Sequence, residues 1–220
     1  MADQPRFELF AFWRTSATYR VRVALNLKGL AAQERIVDVD AGENRSEAFL
    51  KINPLGAIPA LVEAGLPPLT QSSAILEYLE EIAPNPPLLP ADPQGRAWVR
   101  SVAAMLAADT HPLVVPRVRR YLTEHGFDAA AWRAWQIHWF STGLRAVEQR
   151  LASDGRTGAF CYGDAVTMAD IVLMSIVVVT RVFKIEIADI PTINGIAARC
   201  EALEAFTKAD PMRQDGAPQP

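Results

Sequence analysis

Two hydrophobic rhythms divide the chain, and the change comes at its most proline-rich stretch. Phe7-Glu8-Leu9-Phe10-Ala11-Phe12 alternates and is rich in aromatics, which predicts a first β-strand. From Ala17 to Lys28, Val21, Ala24, Leu25 and Leu27 recur at helical spacing, and Gly29 provides the stop. Residues 33–39 predict a second strand and 44–52 a short helix. Pro59 to Glu63 and Leu66 to Thr70 predict two strands around an Ala64-Gly65 turn, and a helix follows from Ser72 to Ile82. The order βαβαββα predicts a compact α/β layer.

Pro84, Pro86, Pro87, Pro90 and Pro93 then crowd a short stretch, in a chain with 16 prolines. Neither a helix nor a central strand survives that density, so 84–93 is expected to be a linker. Beyond it the strand pattern fades, and 96–122, 129–152, 167–183 and 192–206 have helical length and spacing. The expected organisation is an α/β domain over 1–83, the linker, an all-helical domain over 94–213 and a disordered tail over 214–220. No internal repeat is apparent. Thr167-Met168-Ala169-Asp170 precedes an apolar run and reads as a capping box. It is a folding device whose loss should cost about 1 kcal/mol.

Composition narrows the function classes. Half of the 220 residues are hydrophobic and 21% are charged, ordinary for a globular protein. A net charge of −3 gives no global basic field, so neither nucleic acid nor an anionic membrane is an expected partner. The longest apolar run, near 171–180, is too short to span a bilayer. Residues 1–8 carry Asp3, Pro5 and Arg6 without an apolar core, so no signal peptide is expected. Cys161 and Cys200 form no CxxC, and the expectation is two reduced, buried thiols in a cytoplasmic protein. His125 and His138 share no ligand spacing, so no metal is expected.

Candidate chemistry gathers between residues 53 and 72. Proline is the one residue type for which a cis peptide is cheap, and Pro59 opens a short apolar strand. A cis bond there would turn the N–H and C=O of Ile58 outward, free to pair with an extended peptide. Gln71-Ser72 stands at a helix start, a natural cradle for a carboxylate. Clamp and cradle together suggest a small peptide-like ligand with a charged end.

With Gly163-Asp164-Ala165-Val166-Thr167-Met168-Ala169-Asp170, these pieces resemble the cytosolic glutathione transferase family over residues 6–213. That family joins a thioredoxin-like domain to an all-helical domain and carries a cis-proline before the third strand. Within it, Thr15-Ser16-Ala17-Thr18-Tyr19-Arg20-Val21-Arg22-Val23-Ala24-Leu25 is similar to the zeta-class signature Ser-Ser-Cys-x-Trp-Arg-Val-Arg-Ile-Ala-Leu. Asp109-Thr110-His111-Pro112-Leu113 and Arg117-Val118 resemble its bacterial members, and zeta members include maleylacetoacetate and maleylpyruvate isomerases. Three departures stand out. Ala17 replaces the signature cysteine, Thr15 replaces the first serine, and Val114-Val115-Pro116 replaces Asn-Asn-Leu.

The resemblance implies glutathione as cofactor, a small electrophile (possibly an unsaturated diacid) as substrate, and a homodimer. Thr15 would activate the glutathione thiol, with Ser16 second, since a thiol loses its proton more readily at a helix N-terminus beside a donor. The competing expectation is that both hydroxyls simply cap the helix. Ile58 and Pro59 would hold the cysteinyl main chain, Gln71 and Ser72 the γ-glutamyl end, and His111 the cofactor from the first long helix. Arg14 and Arg117 are the candidates for a substrate carboxylate; Arg20 and Arg22 read as structural. The expected activity is glutathione-dependent cis–trans isomerisation. Its alternatives are conjugation or dehalogenation of other electrophiles, or a non-catalytic interaction module.

Overall fold

The structure is a computed structural model that describes residues 5–218. Residues 1–4, part of the segment in which no signal peptide is expected, and 219–220 of the tail lie outside the described residues. Two compact units emerge: Leu88–Glu201 is one, and the residues before it together with those from Ala202 onward form the other.

The first unit is an α/β layer. Strands β1 (Phe7–Ala11), β2 (Ala32–Ile36), β3 (Ala60–Glu63) and β4 (Leu69–Thr70) form one sheet in the order β2-β1-β3-β4. β1 runs parallel to β2 and antiparallel to β3, and β3 is antiparallel to β4. The β1–β2 crossover is helix α1 (Ser16–Lys28), closed by Gly29 at φ 64°. Phe7, Leu9 and Ala11 are buried as period two requires, while Phe10 meets Phe49 edge-on at 5.9 Å. Helix α3 (Ser72–Ile82) packs on α1. Lys28 at the end of α1 donates to Glu80 of α3 at 2.5 Å and to the Pro86 carbonyl at 2.6 Å, so a buried ion pair pins the start of the proline-rich stretch.

The helix expected over 44–52 is split into a 3-10 turn, Glu43–Arg45, and α2 (Glu47–Leu50). Ser46 between them is extended, and its hydroxyl accepts from the Phe49 amide at 3.2 Å, the role a serine takes more readily than a mid-helix one.

In the second unit, α4 (Pro93–Ala107), α5 (Pro116–Glu124), α6 (Ala129–Ser153), α7 (Met168–Val182) and α8 (Pro191–Glu201) form a helical layer. Every α7 residue from Met168 to Thr180 is buried. The capping box at Thr167 and Asp170 is present, and Asp170 also accepts from the Cys161 amide at 2.7 Å. Cys161 and Cys200 are free and buried. The single helix expected over 96–122 is broken at 108–115 by a 3-10 turn, His111–Val114. Pro112 and Pro116 each lack an N–H and disfavour helical backbone in the residue before them.

The helix expected over 192–206 ends at Glu201, and α9 (Glu204–Lys208) starts after an extended Leu203. From Ala202 the chain returns to the first unit, where Asn26 of α1 donates to the Ala205 carbonyl at 2.9 Å. The region beyond 213 is tied back too, since the Gln214 amide donates to the carbonyls of Lys208 and Asp210. Among the described residues, no helix is long and apolar enough to cross a membrane.

Candidate functional site

Sheet register brings three separate segments of the first unit to one edge. Phe10 pairs with Ala60, and Ala60 with Thr70. The exit of β1, the start of β3 and the end of β4 therefore lie side by side. Thr15 and Ser16 follow the first, Ile58 and Pro59 precede the second, and Gln71 and Ser72 follow the third.

At the β1 exit Thr15 is the N-cap of α1, yet its hydroxyl makes no capping bond and the first turn holds no acidic residue. The α1 amides are thus left open, the arrangement in which a helix N-terminus favours an anion. Thr15 Oγ1 lies 3.2 Å from the Phe12 carbonyl and 2.6 Å from Thr18 Oγ1. A carbonyl only accepts, so Thr15 donates to Phe12 while buried Thr18 donates to Thr15. Ser16 is buried at the first helical position.

The Ile58–Pro59 peptide is cis. Among the described residues neither the N–H nor the C=O of Ile58 bonds to another group of the chain. The loop before it is held by two asparagines: Asn53 donates to the Ala57 carbonyl and Asn44 to the Gly56 carbonyl, both at 2.6 Å. A peptide edge is thereby presented on a fixed loop.

At the third segment Gln71 has φ 69°, a left-handed value that costs a glutamine about 1–3 kcal/mol and is commonest at binding sites. Neither Gln71 nor an acidic first-turn residue caps α3. Ser72 is the first helical residue, so it is not the N-cap of α3. Its oxygen instead accepts from Arg20 Nη1 at 3.2 Å.

The remaining candidates are placed differently. Arg14 gives its fork to Asp40, with both N–H···O distances 2.5 Å, and lies over the rings of Phe12 and Trp13. His111 and Arg117 belong to the second unit. His111 sits in the 3-10 turn, anchored by Trp135 Nε1 donating to the Leu113 carbonyl at 2.7 Å and by Thr110 against Gly143. Arg117 is exposed in the first turn of α5.

Two further residues belong to this edge: Thr18, behind Thr15, which sequence reasoning passed over, and Arg20, behind Ser72, which it read as structural. The spacing of Thr15 and Thr18, three apart across a helix start, could have flagged the first. Nothing local flags the second, because its partner is 52 residues away.

Residues 5–81 match the family of the glutathione S-transferase N-terminal domain. The chain is 40% identical over 208 residues to the maleylpyruvate isomerase of Ralstonia sp, covering 94% of this chain and 98% of that one. Among solved structures it is similar to the maleylacetoacetate isomerase of Methylobacterium extorquens AM1 with bound malonate and GSH, at 48% identity and TM-score 0.94, covering 96% of this chain and 100% of that one. It is also similar to the holo structure of a maleyl pyruvate isomerase described as a bacterial glutathione S-transferase of the zeta class. There the identity is 39% and the TM-score 0.92, covering 96% and 100%.

Proposed function

This chain belongs to the glutathione S-transferase family, in its zeta class, and on that premise we propose that it is a glutathione-dependent cis–trans isomerase of maleylacetoacetate or maleylpyruvate type. The observation that carries the reading is the convergence, at one sheet edge, of two uncapped helix starts and the unpaired main chain of Ile58. Those groups fit a peptide with an anionic end and a sulfur that must lose its proton.

Ile58 offers one donor and one acceptor to the cysteinyl main chain, with Pro59 shaping the turn. Gln71 and Ser72 serve the γ-glutamyl carboxylate and ammonium. Bound glutathione supplies a thiolate that adds to and leaves a conjugated alkene, permitting rotation about the bond between. Thr15 stabilises that thiolate: its proton turns from the Phe12 carbonyl to the sulfur while Thr18 keeps donating to Thr15, and the open α1 amides add their dipole. Ser16, buried beside it, is the second donor in this reading. Arg14 serves a substrate carboxylate by exchanging Asp40 for it, a low-cost exchange for an exposed pair. His111 toward the cofactor and Arg117 toward substrate are assignments taken from the family. The reading includes a cytoplasmic homodimer; a solution mass of 24.1 kDa would contradict the dimer.

Turnover of maleylacetoacetate with glutathione far below substrate tests this function. Complete isomerisation with the thiol conserved is the expected result. Loss of one thiol per substrate would instead identify a conjugating transferase, the activity that the apolar Val114-Val115-Pro116 stretch favours. Absence of glutathione binding would leave an interaction module.

A further inference from the structure

We propose that Arg20 is a positioning residue that aims the hydroxyl proton of Ser72 at the carboxylate end of the bound peptide. The inference rests on the glutathione reading above and deepens it. Arg20 is 2% exposed and its Nη1 lies 3.2 Å from Ser72 Oγ. A guanidinium has donors only, so at this contact the serine oxygen accepts and its own proton points elsewhere. A serine within a helix commonly returns its proton to the carbonyl four residues back. Ser72, as the first residue of α3, has no such helical carbonyl. The outlet left to its proton is the open end of α3, where a carboxylate belongs.

The arrangement also strengthens the donor. A hydroxyl that accepts from a cation is polarised and donates more strongly in turn. Burial lowers the Arg20 pKa to about 10, which still leaves it protonated at neutral pH. Thr18 and Thr15 repeat the plan on α1, where one buried donor feeds the hydroxyl that faces the ligand. At that end the partner is neutral and the ligand atom is a sulfur; at the α3 end the partner is a cation and the ligand is a carboxylate.

The test compares glutathione with its analogue in which γ-aminobutyryl replaces γ-glutamyl, removing only that carboxylate. Calorimetric affinities are measured for wild type, Arg20→Met and Arg20→Lys. Arg20→Met should weaken glutathione about tenfold, the equivalent of one lost charge-supported hydrogen bond. Arg20→Lys should recover part of the loss, and the analogue should bind all three proteins alike. Equal weakening of both ligands would show a general packing role and overturn the proposal, as would unchanged glutathione affinity. If Arg20→Met does not fold, the guanidinium resonances of Arg20 in the wild-type protein decide. They should shift on adding glutathione but not the analogue, and identical spectra with the two would overturn the proposal. Wild-type protein that binds neither ligand would refute the glutathione reading itself, a result distinct from all of these.

Discussion

Helix starts are treated in opposite ways in two parts of this molecule. In the second unit, α4 begins on Asp92, α6 on Asp128 and α7 on the Thr167–Asp170 box, and each carboxylate accepts from an amide of its own segment. In the first unit, α1 and α3 begin on Thr15 and Gln71 with no side-chain cap and no acid in the first turn. Lack of a suitable residue type does not account for it at α1, because Thr15 has a hydroxyl and spends it elsewhere. Nor is the contrast one of units alone, since α2 of the first unit is capped by Ser46 and α5 of the second has no side-chain cap. The two open ends of the first unit lie at the edge where the register of β1, β3 and β4 converges. In the function proposed above, an anionic ligand completes there what aspartates complete elsewhere.

The comparison can be broken hardest at its best-satisfied cap. Asp170→Ala removes the acceptor of the Cys161 and Thr167 amides, at 2.7 and 2.8 Å, inside a fully buried helix start. The loss should be on the order of 3 kcal/mol in denaturant unfolding, since two buried donors are stranded. Folded protein should still bind glutathione with near wild-type affinity. A smaller loss is expected from Gly143→Ala. A Cβ at 143 would sit 2.1 Å from Thr110 Oγ1 in the turn that carries His111, costing about 1–3 kcal/mol. Thermal unfolding measures the cost, and a raised KM for glutathione would tie the turn to the cofactor.

Smaller still, and opposite in sign, is a swap of strategies. Thr15→Asp gives α1 the cap it lacks and should stabilise the fold by about 0.5–1 kcal/mol while abolishing turnover. Asp92→Ala, which uncaps α4, should destabilise by about 1 kcal/mol and leave turnover intact. Unfolding and activity measured on the pair would contradict the contrast if both moved together.

Local chemistry made the element order and the clamp and cradle segments legible. Period-two and helical spacing marked β1, α1 and α3, and proline marked the start of β3. What escaped was non-local. Arg20 reads as structural, but its partner is not legible until α3 packs on α1 and brings Ser72, 52 residues on, against it. Arg14 reads as a free fork until Asp40, 26 residues on, takes it. The return of α9 to the first unit depends on a contact between Asn26 and Ala205, 179 residues apart. The break at 108–115 was half legible, since Pro112 and Pro116 stood in the sequence but the apolar spacing ran through them.

The central claim concerns the proton of a bound sulfur, and thiolate absorbance followed against pH in the glutathione complex measures it directly. For wild type the bound thiol should titrate below free glutathione. In Thr15→Val the midpoint should rise by about one pH unit, the size of one lost hydrogen bond to the charged form. Glutathione affinity should barely change. Superimposable titrations of the two proteins would contradict the account.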